Sequence, residues 1–241
     1  MNTPNPKFKD LASFLTELEK NNNKVWMDAN RNKYLNAKEI FYNLVANIHE
    51  HLSKELKSVT LLDPKKSIYR INRDIRFSHD KTPYKTWLAA SICPLGDKSH
   101  GSSFYFHLTS SELVIGTGVW EPEKSRLENL RHYIVDQNIE YNKLLKKLSK
   151  SNISMSYNEG KLKKIPRGFN YVEDLALAGM VSQDTIESIK NKSYIVTNKI
   201  EIDIETPITV IVEIISSFFI TSIPFYNFID IGQRYDDRIK Y

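Results

Sequence analysis

Apolar residues recur at helical spacing near the start of the chain, where Phe8, Leu11, Phe14, Leu15 and Leu18 share one face of a helix over about 8–20. Asn21-Asn22-Asn23 reads as its stop. A longer helix is expected from about Lys24 to Leu56, with Tyr34, Phe41, Leu44, Val45, Ile48, Leu52 and Leu56 as its stripe. Asp63-Pro64 ends that period, because the residue before a proline is pushed out of the helical region. The period then becomes two. Tyr69, Ile71, Ile75 and Phe77 alternate with Arg70, Asn72, Asp74 and Arg76, the pattern of a strand with one buried face. Thr86–Cys93, Ser103–Leu108 and Glu112–Trp120 read as further strands, separated by turns at Lys81–Tyr84, Gly96–Gly101 and Thr109–Ser111.

Glu121-Pro122 opens a third long helix, with Leu127, Leu130, Ile134, Leu144, Leu145 and Leu148 as its stripe. Residues 149–171 are polar and read as a loop with room for one short ordered piece, followed by a short helix near 183–191, a strand over Tyr194–Ile204 and a helix from Thr206-Pro207. The apolar run Ile208–Ile223 is broken by Glu213 and serines, so it reads as a buried helix, too short and polar for a membrane span. The class is α+β. A central antiparallel sheet over about residues 67–120, which a C-terminal strand can join, is packed by N-terminal, middle and C-terminal helices. One domain is expected over 1–241, its helical N-terminal part at about 8–60, its sheet at about 65–120 and its helical C-terminal part at about 122–230. Neither a repeat nor a long linker divides it.

Composition adds exclusions. With 241 residues, 41% hydrophobic and 26% charged, the chain is neither collagenous, low-complexity nor wholly disordered. The single cysteine, Cys93, excludes an internal disulfide framework. A reducing compartment and, from the polar start MNTPNPKFKD, a cytoplasmic location are expected, with no membrane partner. The net charge of +5 equals that of the stretch 65–87, where seven Lys and Arg face Asp74 and Asp80, while the rest of the chain balances. Any attraction for anions is therefore expected to be local to that stretch.

Asn22-Asn23 with Trp26, Asn30-Arg31 and Tyr34, the run Arg70-Ile71-Asn72-Arg73-Asp74-Ile75-Arg76-Phe77-Ser78, and Asp80-Lys81-Thr82-Pro83-Tyr84-Lys85 form a long and chemically odd pattern. With Gly116, Gly118, Trp120, Pro122, Arg131, Leu162-Lys163 and Pro166-Arg167-Gly168-Phe169, it resembles the uncharacterised family known as domain of unknown function 2461. The pattern departs from that family at Met27, His79 and Trp87. The resemblance implies a fold neighbourhood and brings no assigned activity.

Three readings compete for the basic stretch. In the first, Arg70, Arg73, Arg76, Lys81, Tyr84 and Lys85 bind a small phosphate or carboxylate ligand, supported by Asn72, Asp74, Asp80, Asn30 and Arg31. Whether such a site binds or catalyses is left open; His107, Tyr105 and Asp74 are the candidates for proton transfer, Asp74 with a pKa lowered by its arginines. In the second, the same charges form a structural network in a partner-binding module, with Arg73, on the apolar side of the strand, meeting a carboxylate or carbonyls. The third, nucleic-acid binding with Tyr69, Tyr84 and Trp87 stacking on bases, is disfavoured because acids interrupt the strip. Trp26 and Trp120 read as packing residues, Gly116 and Gly118 as points of close approach, and Cys93 as a small buried hydrophobe. His79 and His100 fall in loops, and His49 and His51 point in different directions on a helix. No metal site and no cofactor is expected.

Overall fold

The computed structural model describes residues 6–94, 101–156 and 161–236. The chain divides into two compact units, one of residues 1–94, 104–115 and 199–220, the other of residues 95–103, 116–198 and 221–241. In chain order the helices and strands are α1 (Lys9–Lys20), α2 (Lys24–Ala29), α3 (Arg31–Glu55), the single turn α4 (Pro64–Ser67), β1 (Leu88–Ile92), β2 (Ser103–Leu108), β3 (Glu112–Val119), α5 (Lys124–Asp136), α6 (Asn138–Ser149), β4 (Ser154–Met155), α7 (Tyr171–Leu177), α8 (Gln183–Ile189), β5 (Tyr194–Glu201) and α9 (Ile208–Gln233). The fold is α+β. Its five-stranded antiparallel sheet has the order β1-β2-β3-β5-β4, and β3 and β5 each contribute residues to both units.

In the first unit, β2 alternates as its sequence demands: Phe104, Phe106 and Leu108 are fully buried, and Tyr105 and His107 lie on the opposite face, half-buried. The buried side meets helices. Phe106 packs on Phe41 of α3 at 5.6 Å between ring centroids, and Phe104 on Phe219 of α9 at 5.2 Å. β1 pairs antiparallel with β2 and sets Ala89 opposite His107 and Ser91 opposite Tyr105.

Three expected elements come out differently. The helix expected over Lys24–Leu56 breaks at Asn30, whose side-chain amide donates to the Trp26 carbonyl at 3.0 Å and caps α2 before α3 begins. The helix expected from Glu121 breaks at Gln137, between α5 and α6, where the Asn138 amide returns to the Val135 carbonyl. The strand expected over Tyr69–Phe77 is an irregular arm with two isolated bridges, Ile68 to Ala90 and Asn72 to Tyr84. Of its supposed core face only Ile71 is buried, and Phe77 is 95% exposed.

The reason lies in its aspartates. Asp74 accepts from the Arg76 amide and Asp80 from the Thr82 amide, each two residues on, so two side-chain turns replace a backbone ladder. The polar stretch 149–171 carries one short ordered piece, the strand β4, and leads into α7, a helix the period does not predict. The turn expected at Gly96–Gly101 falls largely outside the described residues, and His100 lies outside them.

The second unit packs Tyr141 of α6 on Phe228 of α9 at 5.4 Å and hydrogen-bonds Thr117 of β3 to Ser222 of α9 at 2.8 Å. Gly118 answers its expected role. Its φ is +135°, and a Cβ there would meet the Tyr194 carbonyl oxygen at 1.9 Å, so the backbone of β5 is what approaches it. Trp120, expected to pack, is instead 60% exposed. The last helix extends ten residues beyond the run read from the sequence. It is 26 residues long, and its most apolar 18-residue stretch has mean hydropathy 1.9, enough to cross a membrane, yet half of that stretch is buried; along the helix Ile211, Ile215, Phe219, Phe225 and Ile229 are all buried.

Candidate functional site

The three consecutive asparagines each do a different job. Asn21 turns its amide back to the Glu17 carbonyl at the end of α1, and Asn23 caps α2 by accepting from the Trp26 amide at 2.9 Å. Asn22 reaches across 62 residues. Its Oδ1 accepts from the Tyr84 N–H at 3.1 Å and its Nδ2 donates to the Tyr84 carbonyl at 2.9 Å, replacing the ladder partner that Tyr84 lacks on that side. Together with Arg73 N–H to the Pro83 carbonyl and Lys85 N–H to the Ile71 carbonyl, this fixes the course of the Lys81–Lys85 loop.

On that scaffold the six expected ligand residues separate. Arg73 is turned into its own loop: its Nη1 donates to the Asp80 carboxylate, the Thr82 hydroxyl and, at 3.3 Å, the Thr82 carbonyl. The Thr82 hydroxyl in turn donates to Asp80 at 3.1 Å. The Asp80 carboxyl is held down to about 2, chiefly by the Thr82 backbone N–H and next by Arg73. Arg76 lies in the open and closes on Asp74 through Nε at 3.0 Å and Nη2 at 2.7 Å, which lowers the Asp74 pKa. Lys81 donates to the Ile75 carbonyl at 3.0 Å. Tyr84 is buried. Of the supporting residues, Asn30 caps α2, Asn72 bridges Tyr84, and exposed Arg31 places its guanidinium 5.3 Å from the Tyr34 ring.

Arg70 and Lys85 remain. Among the described residues neither has a hydrogen bond or ion pair through its side chain. Lys85 is partly buried, its ammonium 5.3 Å from the centre of the Tyr69 ring. Its pKa is lowered first by burial and then by the charge of Arg70, so the two cations feel each other. Arg70 also has a minor influence on Asp74, which is already engaged by Arg76.

From Tyr69 an aromatic row continues over the outer face of β2. The Tyr69 and Tyr105 rings meet edge-on at 6.3 Å, the Tyr105 hydroxyl lies 3.1 Å from His107 Nδ1, and Trp87 packs 6.3 Å from the His107 ring. Burial pushes the Tyr105 phenol up to about 12 and lowers the His107 pKa, leaving both neutral at pH 7. When the Tyr105 hydroxyl donates, the imidazole carries its proton on Nε2. His107 and Tyr105 thus adjoin the Lys85 end of the basic stretch through Tyr69, and Asp74 is tied to Arg76.

Among the described residues no group of three or more His, Cys, Asp or Glu is placed to hold a metal ion. His49 is buried against Ser67, His51 reaches Ser216, and Cys93 is buried near Ser91. The sequence places Tyr69 on the core face of one expected strand and Trp87 near the start of the next, and gives them a role only in the disfavoured stacking on bases. Asn22 is legible in the sequence as part of a helix stop and of the family pattern, without a partner.

The model of the family described as conserved hypothetical protein (DUF2461) matches residues 10–228. The chain belongs to this family. The match runs through the Asn22 clamp, the Arg73 loop, the aromatic row and most of α9, so all of these lie within the family's domain. No curated protein and no solved structure matches the chain.

Proposed function

We propose that this member of the family binds a small phosphate or carboxylate ligand at the Arg70–Lys85 end of the aromatic row. One observation carries the reading. Two neighbouring cations, one of them partly buried, have no counter-charge of their own among the described residues, whereas Arg73 and Arg76 are both answered by carboxylates. Like charges held together beside aromatic rings are unfavourable alone, and an anion between them relieves the repulsion. Tyr69 and Tyr105 offer ring faces and edges to an organic part of the ligand. The Tyr105–His107 pair is the group able to exchange a proton with it.

A second reading is favoured by the Arg73 loop itself. A guanidinium bonded to Asp80 and Thr82 is a structural device, and an exposed arm stiffened in this way suits a partner-binding module. Both readings give Arg73 the same role and differ over Arg70 and Lys85.

A thermal-shift panel decides between them, with inorganic phosphate, phenyl phosphate, nucleoside monophosphates and benzoate-type carboxylates as probes. At a hundred times its Kd a bound anion stabilises by about 2.7 kcal/mol, a rise of several degrees. That rise is expected in the wild type and in Arg76→Ala, and not in Lys85→Ala or Arg70→Ala. No shift with any probe, or the same shift in all four proteins, overturns the binding reading.

A further inference from the structure

A second basic region lies within the second unit. Residues 143–167 hold eight Lys and Arg against the single acid Glu159, an excess hidden in the chain total by acids elsewhere. Lys143, Lys146 and Lys147 of α6 and Lys150 at its C-cap follow the three-and-four spacing that puts side chains on one helix face, and all four are exposed. Among the described residues none of them has an ion pair or hydrogen bond through its side chain. They line a groove of about 740 Å³ together with Ile139 and Met180, and no acid lines it.

The opposite wall is rigid for reasons of backbone chemistry. Helix α7 ends with Gly179 at φ +71°, its N–H bonded to the Ala176 carbonyl and the Met180 N–H to the Leu175 carbonyl. That is the paired bonding of a left-handed helix cap, which a glycine takes without strain. The cap sends Met180 outward, 64% exposed, where such a motif more often folds the following apolar residue against the helix. Asn142 then ties α6 to the start of α8, donating to Ser182 and Thr185 hydroxyls at 3.1 Å. Both walls are therefore held before anything binds.

We infer that this groove docks an acidic protein segment carrying apolar side chains. The lysines supply charge complementarity, and Ile139, 79% exposed, and Met180 supply apolar contact, methionine adapting its shape to the side chain it meets. A walled groove takes a narrow chain better than a flat bilayer. Its lining has no aromatic ring for a base to stack on and no arginine for bidentate phosphate binding, so a nucleic acid fits it poorly.

The test uses the full chain and a fluorescent 15-residue peptide of alternating Glu and Leu or Phe, read by anisotropy. Polyglutamate of equal length, vesicles containing phosphatidylserine and a single-stranded oligonucleotide serve as competitors. The peptide is expected to bind, with roughly tenfold or greater weakening in Lys143→Glu/Lys147→Glu and a smaller loss in Met180→Asp. Both variants should keep the wild-type circular dichroism, since the altered residues are exposed, and Lys38→Glu/Lys57→Glu, at two exposed positions outside the groove, serves as a control matched in charge to the double variant. Four results overturn the inference: no binding, binding equal in all variants, polyglutamate competing as well as the apolar-containing peptide, or vesicle or oligonucleotide displacing it more strongly.

Discussion

The basic stretches 65–87 and 143–167 have similar charge excesses and spend them differently. In the first the backbone lacks a regular ladder, and side chains supply what the backbone does not: Arg73 gathers Asp80 and Thr82, Arg76 closes on Asp74, and Lys81 holds the Ile75 carbonyl. In the second much of the charge sits on α6 and its C-cap, where the backbone satisfies itself, so Lys143, Lys146, Lys147 and Lys150 are released from holding the chain together. Net charge in sequence is therefore no measure of charge available to a ligand. What matters is how many polar groups the local backbone leaves for side chains to satisfy.

The sharpest way to break this contrast is Arg73→Ala. Removing a guanidinium that serves a carboxylate, a hydroxyl and a carbonyl is expected to cost about 1–3 kcal/mol, read as a lower urea midpoint with an unchanged slope. A loss below about 0.5 kcal/mol, the range of ordinary surface changes, shows that the arm does not depend on Arg73.

Acid provides a smaller and independent probe. The Asp80 carboxyl is held down to about 2 in the fold, below its ordinary 3.8, so its contribution to stability is fully present above about pH 4 and is lost as the pH falls towards 2. Asp80→Asn should be less stable at neutral pH and lose less than the wild type over that interval. Identical acid profiles for the two proteins remove Asp80 from the account.

What the sequence made legible followed from period. The alternation in Ser103–Leu108 put Phe104, Phe106 and Leu108 inside, and the three-and-four spacing in α1 and α3 located Leu15, Phe41 and Ile48 in the core. Where side chains compete with the backbone, period misleads. Tyr69–Phe77 alternates well, yet Asp74 and Asp80 take the amides of Arg76 and Thr82, and Phe77 ends in solvent. Asn30 breaks a helix in the same way. The sequence likewise grouped six ligand residues by proximity along the chain, but separating Arg73 and Arg76, which meet carboxylates, from Arg70 and Lys85, which meet none among the described residues, required knowing which acids each one reached. The Asn22–Tyr84 clamp spans 62 residues and leaves no local signal.

The smallest expected effect falls on the other side of the contrast. Lys143→Ala/Lys147→Ala should change stability by less than about 0.5 kcal/mol, because four terms nearly cancel. Losing like charges four residues apart on α6 relieves a few tenths of a kcal/mol of repulsion, and alanine improves helix propensity by a comparable small amount. Against this, Lys147 lies in the last turn, where a cation favours the helix dipole, and the lysine stems cover apolar surface along the groove. Repeating the melts at low and high salt separates the electrostatic terms, since salt screens repulsion and dipole alike and leaves propensity and stem packing. A loss above about 1 kcal/mol at both salts means that these lysines, like Arg73, hold their own fold together.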